Sequence, residues 1–137
     1  MIVPSVRPFS PGIIVLVAAH LLLTATVPVA GQAEGTTIAW TQALEQPPGW
    51  YGSPESVRIA DNVLLYQHEN GGWPKNVEMA QVLTDGDRAR IREALRTEGS
   101  ELAGTTFDNG ATFTQLRYLA RVYEATRDQR FREGFLR

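Results

Sequence analysis

Apolar side chains recur at intervals of three and four residues along most of the chain after residue 50, the period of a helix with one buried face. The clearest case is 111–125, where Leu116, Leu119, Ala120 and Tyr123 share a face. No alternation of apolar and polar residues persists, so the pattern predicts no strand and disfavours sheet-based architectures. An all-α fold is expected.

Helix-starting and helix-ending residues divide this pattern into four helices. Ser53–Glu55 has a capping serine, a proline suited to the first turn and an acid at the positive helix end. Thr126–Gln129 resembles a capping box, so the last two helices are expected to form a hairpin. Hairpins in series predict a toroid or barrel of paired helices. The predicted helices are 54–67, 85–96, 111–125 and one that begins near Arg127.

The other segments are predicted to be loops. Glycine, serine and threonine make 97–106 a loop by composition. The segment 32–49 is expected to wrap the domain edge, held in place by the buried aromatic rings of Trp40, Trp50 and Tyr51. A core role is favoured for these rings over a role as sugar-stacking platforms.

The N-terminus has the composition of a secretory signal peptide, assigned to 1–33. An apolar run at 13–27 follows Arg7, and small residues come after it. Cleavage is expected after Ala33, or slightly earlier after Ala30 or Gly31. The alternative is an uncleaved membrane anchor, which is disfavoured because the run is shorter than the roughly 20 residues of a spanning helix. A secreted or periplasmic protein is predicted, with no membrane association after cleavage.

Composition excludes several function classes. The chain has no cysteine, so disulfides and thiolate chemistry are absent. Without 1–33 it loses Arg7 and keeps 12 basic residues against 15 acidic ones, a net charge of −3. This balance does not suggest nucleic acid or an anionic membrane as a partner. A local cluster of basic residues or a bound cation can still bind a polyanionic sugar.

Helical spacing continues up to Arg137 with no terminating signal. We therefore expect 34–137 to be the N-terminal part of a longer all-α domain; a natural C-terminus is the alternative. By itself this part is expected to be inactive and poorly folded.

Two polar, glycine-containing segments between the helices carry the candidate chemistry: Gly71–Asn76 and Phe107–Thr112. In the first, Trp73 can stack on a pyranose face, while Lys75 and Asn76 can bind a uronate carboxylate and hydroxyl groups. The alternative is a tight turn whose indole lies in the core and whose lysine is merely solvated.

In the second segment, Asp108 and Asn109 offer the hard oxygen ligands that Ca²⁺ prefers. The alternative is that they only cap the following helix, a position that both residue types favour. This pair is too small for a complete calcium site. It would need a further carboxylate, from elsewhere in the protein or from the ligand.

Several segments, in the same order, resemble the catalytic domain of family 10 pectate lyases, and together they span nearly all of 40–137. Phe107 and Phe113 depart from the family, which usually has isoleucine and threonine there. The segments that carry the resemblance are Trp50–Glu55, Arg58–Gln67, Gly71–Asn76, Asp108–Thr112 and Thr114–Ala120.

The resemblance implies a toroid of paired helices that cleaves polygalacturonate by calcium-assisted β-elimination, as a monomer when complete. It makes Asp108 an aspartate of the calcium and substrate site and Asn109 its neighbour. The arginine base and a further calcium-binding aspartate are expected beyond Arg137, and Arg58, Arg117 and Arg121 are poor substitutes. Two alternatives stay open: a noncatalytic protein that binds acidic sugars, and a purely structural helical domain.

Overall fold

The computed structural model describes residues 37–137. Within this range the structure is helical and has no strand, so the all-α prediction is confirmed. The assembly of further hairpins into a toroid stays a prediction. A 3-10 helix, Pro48–Gly52, lies between the first two helices. The α-helices are α1 (Trp40–Ala43), α2 (Pro54–Leu65), α3 (Asp85–Arg96), α4 (Phe113–Thr126) and α5 (Gln129–Leu136).

Helix α2 begins at the predicted residues and forms the centre of the core. The Ser53 side chain accepts a hydrogen bond from the Ser56 amide, which caps the helix. One face of α2, including Ile59 and Val63, is fully buried. The helix ends at Leu65, two residues before the predicted end.

Helix α3 has the predicted bounds and is mostly solvated. Thr84 and Asp87 form a capping box, in which each side chain accepts a hydrogen bond from the other residue's amide. Thr84 also donates from its hydroxyl to the Asp87 carboxylate, and these bonds lower the pKa of Asp87. Ile91 is the buried residue of the helix.

Helices α4 and α5 form the predicted hairpin, but the capping prediction for α5 was wrong. Arg127 adopts a left-handed conformation that ends α4, and the Asp128 carboxylate, not Thr126, caps α5 by accepting from the Arg130 amide. The Thr126 hydroxyl instead donates to the Val122 carbonyl within α4. The sequence is equally compatible with a cap at Thr126 and a cap at Asp128, so spacing alone does not distinguish the two residues.

Aromatic rings hold the described part of the predicted edge segment, 37–49, against the helices. Tyr51 is buried, and its ring packs edge-on against Tyr118 of α4. Trp40 is also buried against Tyr118, while Trp50 is half-buried. Arg121 donates to the Tyr51 hydroxyl and to the Leu44 carbonyl, which ties this segment to α4.

The predicted signal peptide, 1–33, lies outside the described residues. Among residues 37–137 no helix has both the length and the apolar character needed to cross a membrane.

Candidate functional site

The two polar segments singled out in the sequence lie side by side. The Thr106 amide donates to the Trp73 carbonyl at 3.1 Å, and the Trp73 amide donates to the Thr112 hydroxyl at 3.3 Å. The same hydroxyl donates to the Thr106 carbonyl at 2.9 Å. Gly72 permits this approach, because a Cβ there would lie 2.8 Å from the Cβ of Thr105. Residues more than thirty positions apart therefore form one surface.

Thr112 sustains an unusual backbone conformation at the centre of this connection. Its φ is 67° and its ψ is −52°, and the Phe113 amide donates to the Ala111 carbonyl at 2.8 Å across it. This is the rare γ-turn with positive φ, which is strained for a β-branched residue by about 1–3 kcal/mol. Hydrogen bonds offset this strain. The buried Thr112 hydroxyl makes the two bonds described above, and the Thr112 carbonyl accepts a third from the Leu116 amide.

Asp108, Asn109, Gly110 and Ala111 form a tight turn ahead of α4. The Ala111 amide donates to the Asp108 carbonyl at 3.0 Å, and Asn109 and Gly110 have φ values of 52° and 74°. Two positive φ values define a type I′ turn, for which Asn-Gly is the preferred pair. The helix-cap alternative for Asp108 and Asn109 was wrong, because α4 begins at Phe113 and neither side chain caps it. The helix also starts two residues later than predicted, since the γ-turn intervenes.

Four of the predicted site residues meet across the two segments. Lys75 Nζ lies 3.1 Å from Asp108 Oδ2, with side chains that are 50% and 63% exposed. Beside this ion pair, Asn109 Nδ2 donates to Asn76 Oδ1 at 3.2 Å. Asn76 has a φ of 60°, so both asparagines are left-handed. A lysine, a carboxylate and two amides therefore share one solvent-facing surface.

Trp73 does not belong to this surface, and its predicted stacking on a sugar was wrong. Its side chain is fully buried, and its indole N–H donates to the Val63 carbonyl of α2 at 2.6 Å. A ring enclosed by the core has no face to offer to a pyranose. The residue acts through its backbone, which connects the two segments.

The described residues fit part of a calcium site. They contain no cluster of three or more histidine, cysteine, aspartate or glutamate side chains suited to a metal. The Asp108 carboxylate is accessible, and neighbouring amide groups can add oxygen ligands, but Ca²⁺ takes about six to eight oxygens. The remaining ligands must be water, substrate carboxylates or other residues. The Lys75 ammonium group competes with a cation for Asp108 Oδ2.

Two of the arginines considered as a base have structural roles. Arg58 donates to the carbonyls of Ala80 and Gln81, and Arg121 donates to Leu44 and Tyr51. Each guanidinium group is therefore engaged in hydrogen bonds that connect segments of the fold. Neither can be assigned as a base.

The sequence interpretation missed the exposure of two phenylalanines that flank the Asp108 turn. Phe107 is 67% exposed and Phe113 is 59% exposed, with ring centroids 5.3 Å apart. In the sequence they stand out only as departures from the isoleucine and threonine that are usual in the family. Their position on either side of a polar turn was the available signal.

Comparison with known proteins identifies the family of this chain. Residues 67–137, which are just over half of the chain and include both polar segments, match the family model described as pectic acid lyase. No curated protein and no solved structure gives a match. The chain therefore belongs to the pectic acid lyase family, and pectate is its substrate class.

Proposed function

We propose that the protein is a pectate lyase of the family 10 type. It cleaves polygalacturonate by calcium-assisted β-elimination and releases 4,5-unsaturated oligogalacturonides. The observation that supports this most is the meeting of Lys75, Asn76, Asp108 and Asn109 on one exposed surface, within a chain of the pectic acid lyase family.

The substrate carboxylate is the group that Lys75 recognises in this proposal. The Lys75–Asp108 pair is at least half exposed, and such pairs contribute only about 0.2–1 kcal/mol. Substrate binding can therefore replace the ion pair at small cost. Asn109 donates one hydrogen bond to Asn76, and both side chains keep further amide hydrogens that can bind sugar hydroxyl groups.

Asp108 and Asn109 would hold Ca²⁺ together with the uronate. When bound there, the ion withdraws charge from the uronate carboxylate and acidifies the proton at C5. The type I′ turn and the Thr112 connection fix the position of Asp108 before the ligand arrives, which reduces the ordering cost of binding.

The elimination itself transfers the C5 proton to a base, forms the C4–C5 double bond and breaks the bond from C4 to the leaving oxygen. The family resemblance gives the base as an arginine. An arginine can serve only if its pKa is depressed or the C5 proton is acidified. Within residues 37–137 no side chain is assigned to this role.

The signal peptide 1–33 would export the protein to a secreted or periplasmic location, where pectate is encountered. The protein would act as a monomer. Nucleic acid is not expected as a partner.

To test this, the full-length protein is mixed with polygalacturonate, and the absorbance of the unsaturated uronate product is followed. Calcium-dependent product that stops on addition of chelator supports the proposal. Tight binding of polygalacturonate by the folded, calcium-loaded protein without any product would favour the noncatalytic acidic-sugar binding alternative. Neither binding nor product would favour a structural domain.

A further inference from the structure

Phe107 and Phe113 form an exposed aromatic pair on either side of the polar Asp108 turn. Their rings are tilted by 51° with centroids 5.3 Å apart, and each side chain is more than half exposed. Neither ring belongs to the core formed by the described residues. Burial within this part of the chain therefore does not account for them.

The backbone that carries the two rings is fixed. Phe107 immediately precedes the type I′ turn at Asp108, and Phe113 immediately follows the γ-turn at Thr112. The Phe113 amide is itself bonded to the Ala111 carbonyl. The pair is thus held next to the carboxylate that Lys75 binds.

We propose that Phe107 and Phe113 are a sugar-binding platform, against which a galacturonate ring of bound polygalacturonate stacks. This inference rests on the proposed function. One side of a pyranose ring presents C–H groups, which are attracted to the negative face of an aromatic ring. A uronate also carries a negative charge on its edge, and the Lys75 ammonium group, which pairs with Asp108 next to Phe107 in the sequence, complements that charge.

A neighbouring depression supports this assignment. Phe107 borders a cavity of about 260 Å³. The cavity is lined by the apolar side chains of Leu116 and Phe135 and by polar ones, among them Asn70 and Thr105, which are joined by a hydrogen bond at 3.0 Å. An aromatic edge beside amide and hydroxyl groups suits a sugar, which has both apolar and hydroxylated surfaces.

The test uses Phe107→Leu and Phe113→Leu in the full-length protein, because leucine keeps an apolar side chain and removes the aromatic face. Val82→Ala is the control, since Val82 is 64% exposed and lies outside both polar segments. Binding of calcium-loaded protein to oligogalacturonate is measured by calorimetry, and thermal unfolding is recorded for each variant. Each leucine variant should weaken binding about two- to tenfold without lowering the unfolding temperature. Phe107→Trp should retain wild-type affinity.

Three results would overturn the inference. If the leucine variants bind as tightly as wild type while the wild type cleaves polygalacturonate, the platform is refuted and the proposed function stands. If they bind normally but unfold at lower temperature, the rings pack against another part of the polypeptide. If the wild type neither binds nor cleaves polygalacturonate, the proposed function fails, and the platform fails with it.

Discussion

Replacing Trp73 by phenylalanine distinguishes a core residue from a sugar-binding one. The indole N–H is bonded to the Val63 carbonyl, which lies in the last turn of α2, where carbonyls lack helical partners. Phenylalanine removes this donor and leaves a buried acceptor unpaired, at a cost of about 1–3 kcal/mol. The smaller ring also leaves a gap in a fully buried site, so the total loss expected is roughly 2–4 kcal/mol.

Urea unfolding of the full-length protein measures this loss as a lower midpoint with an unchanged slope. Trp50→Phe is the matched control, because Trp50 is half-buried and the smaller ring leaves little enclosed space there, so the cost should be less than about 1.5 kcal/mol. At a temperature where Trp73→Phe is folded, its KM for polygalacturonate should equal that of wild type. Unchanged stability together with a raised KM would refute the reasoning and return Trp73 to the sugar site.

Three further predictions concern other contacts. Thr112→Val removes the hydroxyl that joins the two polar segments and should lower the free energy of unfolding by about 1–3 kcal/mol in a urea titration, whereas Thr112→Ser should recover most of it. Asp128 has a pKa lowered by its hydrogen bonds to Arg130, so it stabilises the fold above an ordinary aspartate pKa of about 4. That contribution is lost as the pH falls through the lowered pKa. The unfolding midpoint of Asp128→Asn should therefore decline less on acidification than that of wild type, and an identical decline would contradict the role of Asp128. Lys75→Gln should raise the KM for polygalacturonate roughly three- to tenfold, with a smaller effect at high salt. Unchanged steady-state kinetics at low salt would show that Lys75 does not bind the substrate.

Helices could be predicted from the sequence where their signals are local. The bounds of α3 were predicted correctly because Thr84 and Asp87 specify its start through contacts three residues apart. The start of α4 was placed two residues early, since a γ-turn at a threonine contradicts ordinary backbone preferences and leaves no signature in the sequence. Local rules therefore fail where tertiary hydrogen bonds sustain strain.

The site could be predicted only in part, for the same reason. Residue types indicated that Lys75 and Asp108 suit a uronate and a cation, and the structure brings them together. Whether a ring is buried depends on distant partners, so the core position of Trp73 and the exposure of Phe107 and Phe113 could not be derived from spacing. In both cases the deciding contact, or its absence, involves a different part of the chain.

The most direct measurement compares Asp108→Ala with Asp85→Ala in the full-length protein, using calcium-dependent release of unsaturated uronate from polygalacturonate. Asp85 is an exposed aspartate in the first turn of α3 and serves as the matched control. If the Asp108 turn is the calcium and substrate site, Asp108→Ala abolishes product while the protein stays folded, and Asp85→Ala leaves the rate unchanged. Wild-type rates and calcium dependence in Asp108→Ala would contradict the account.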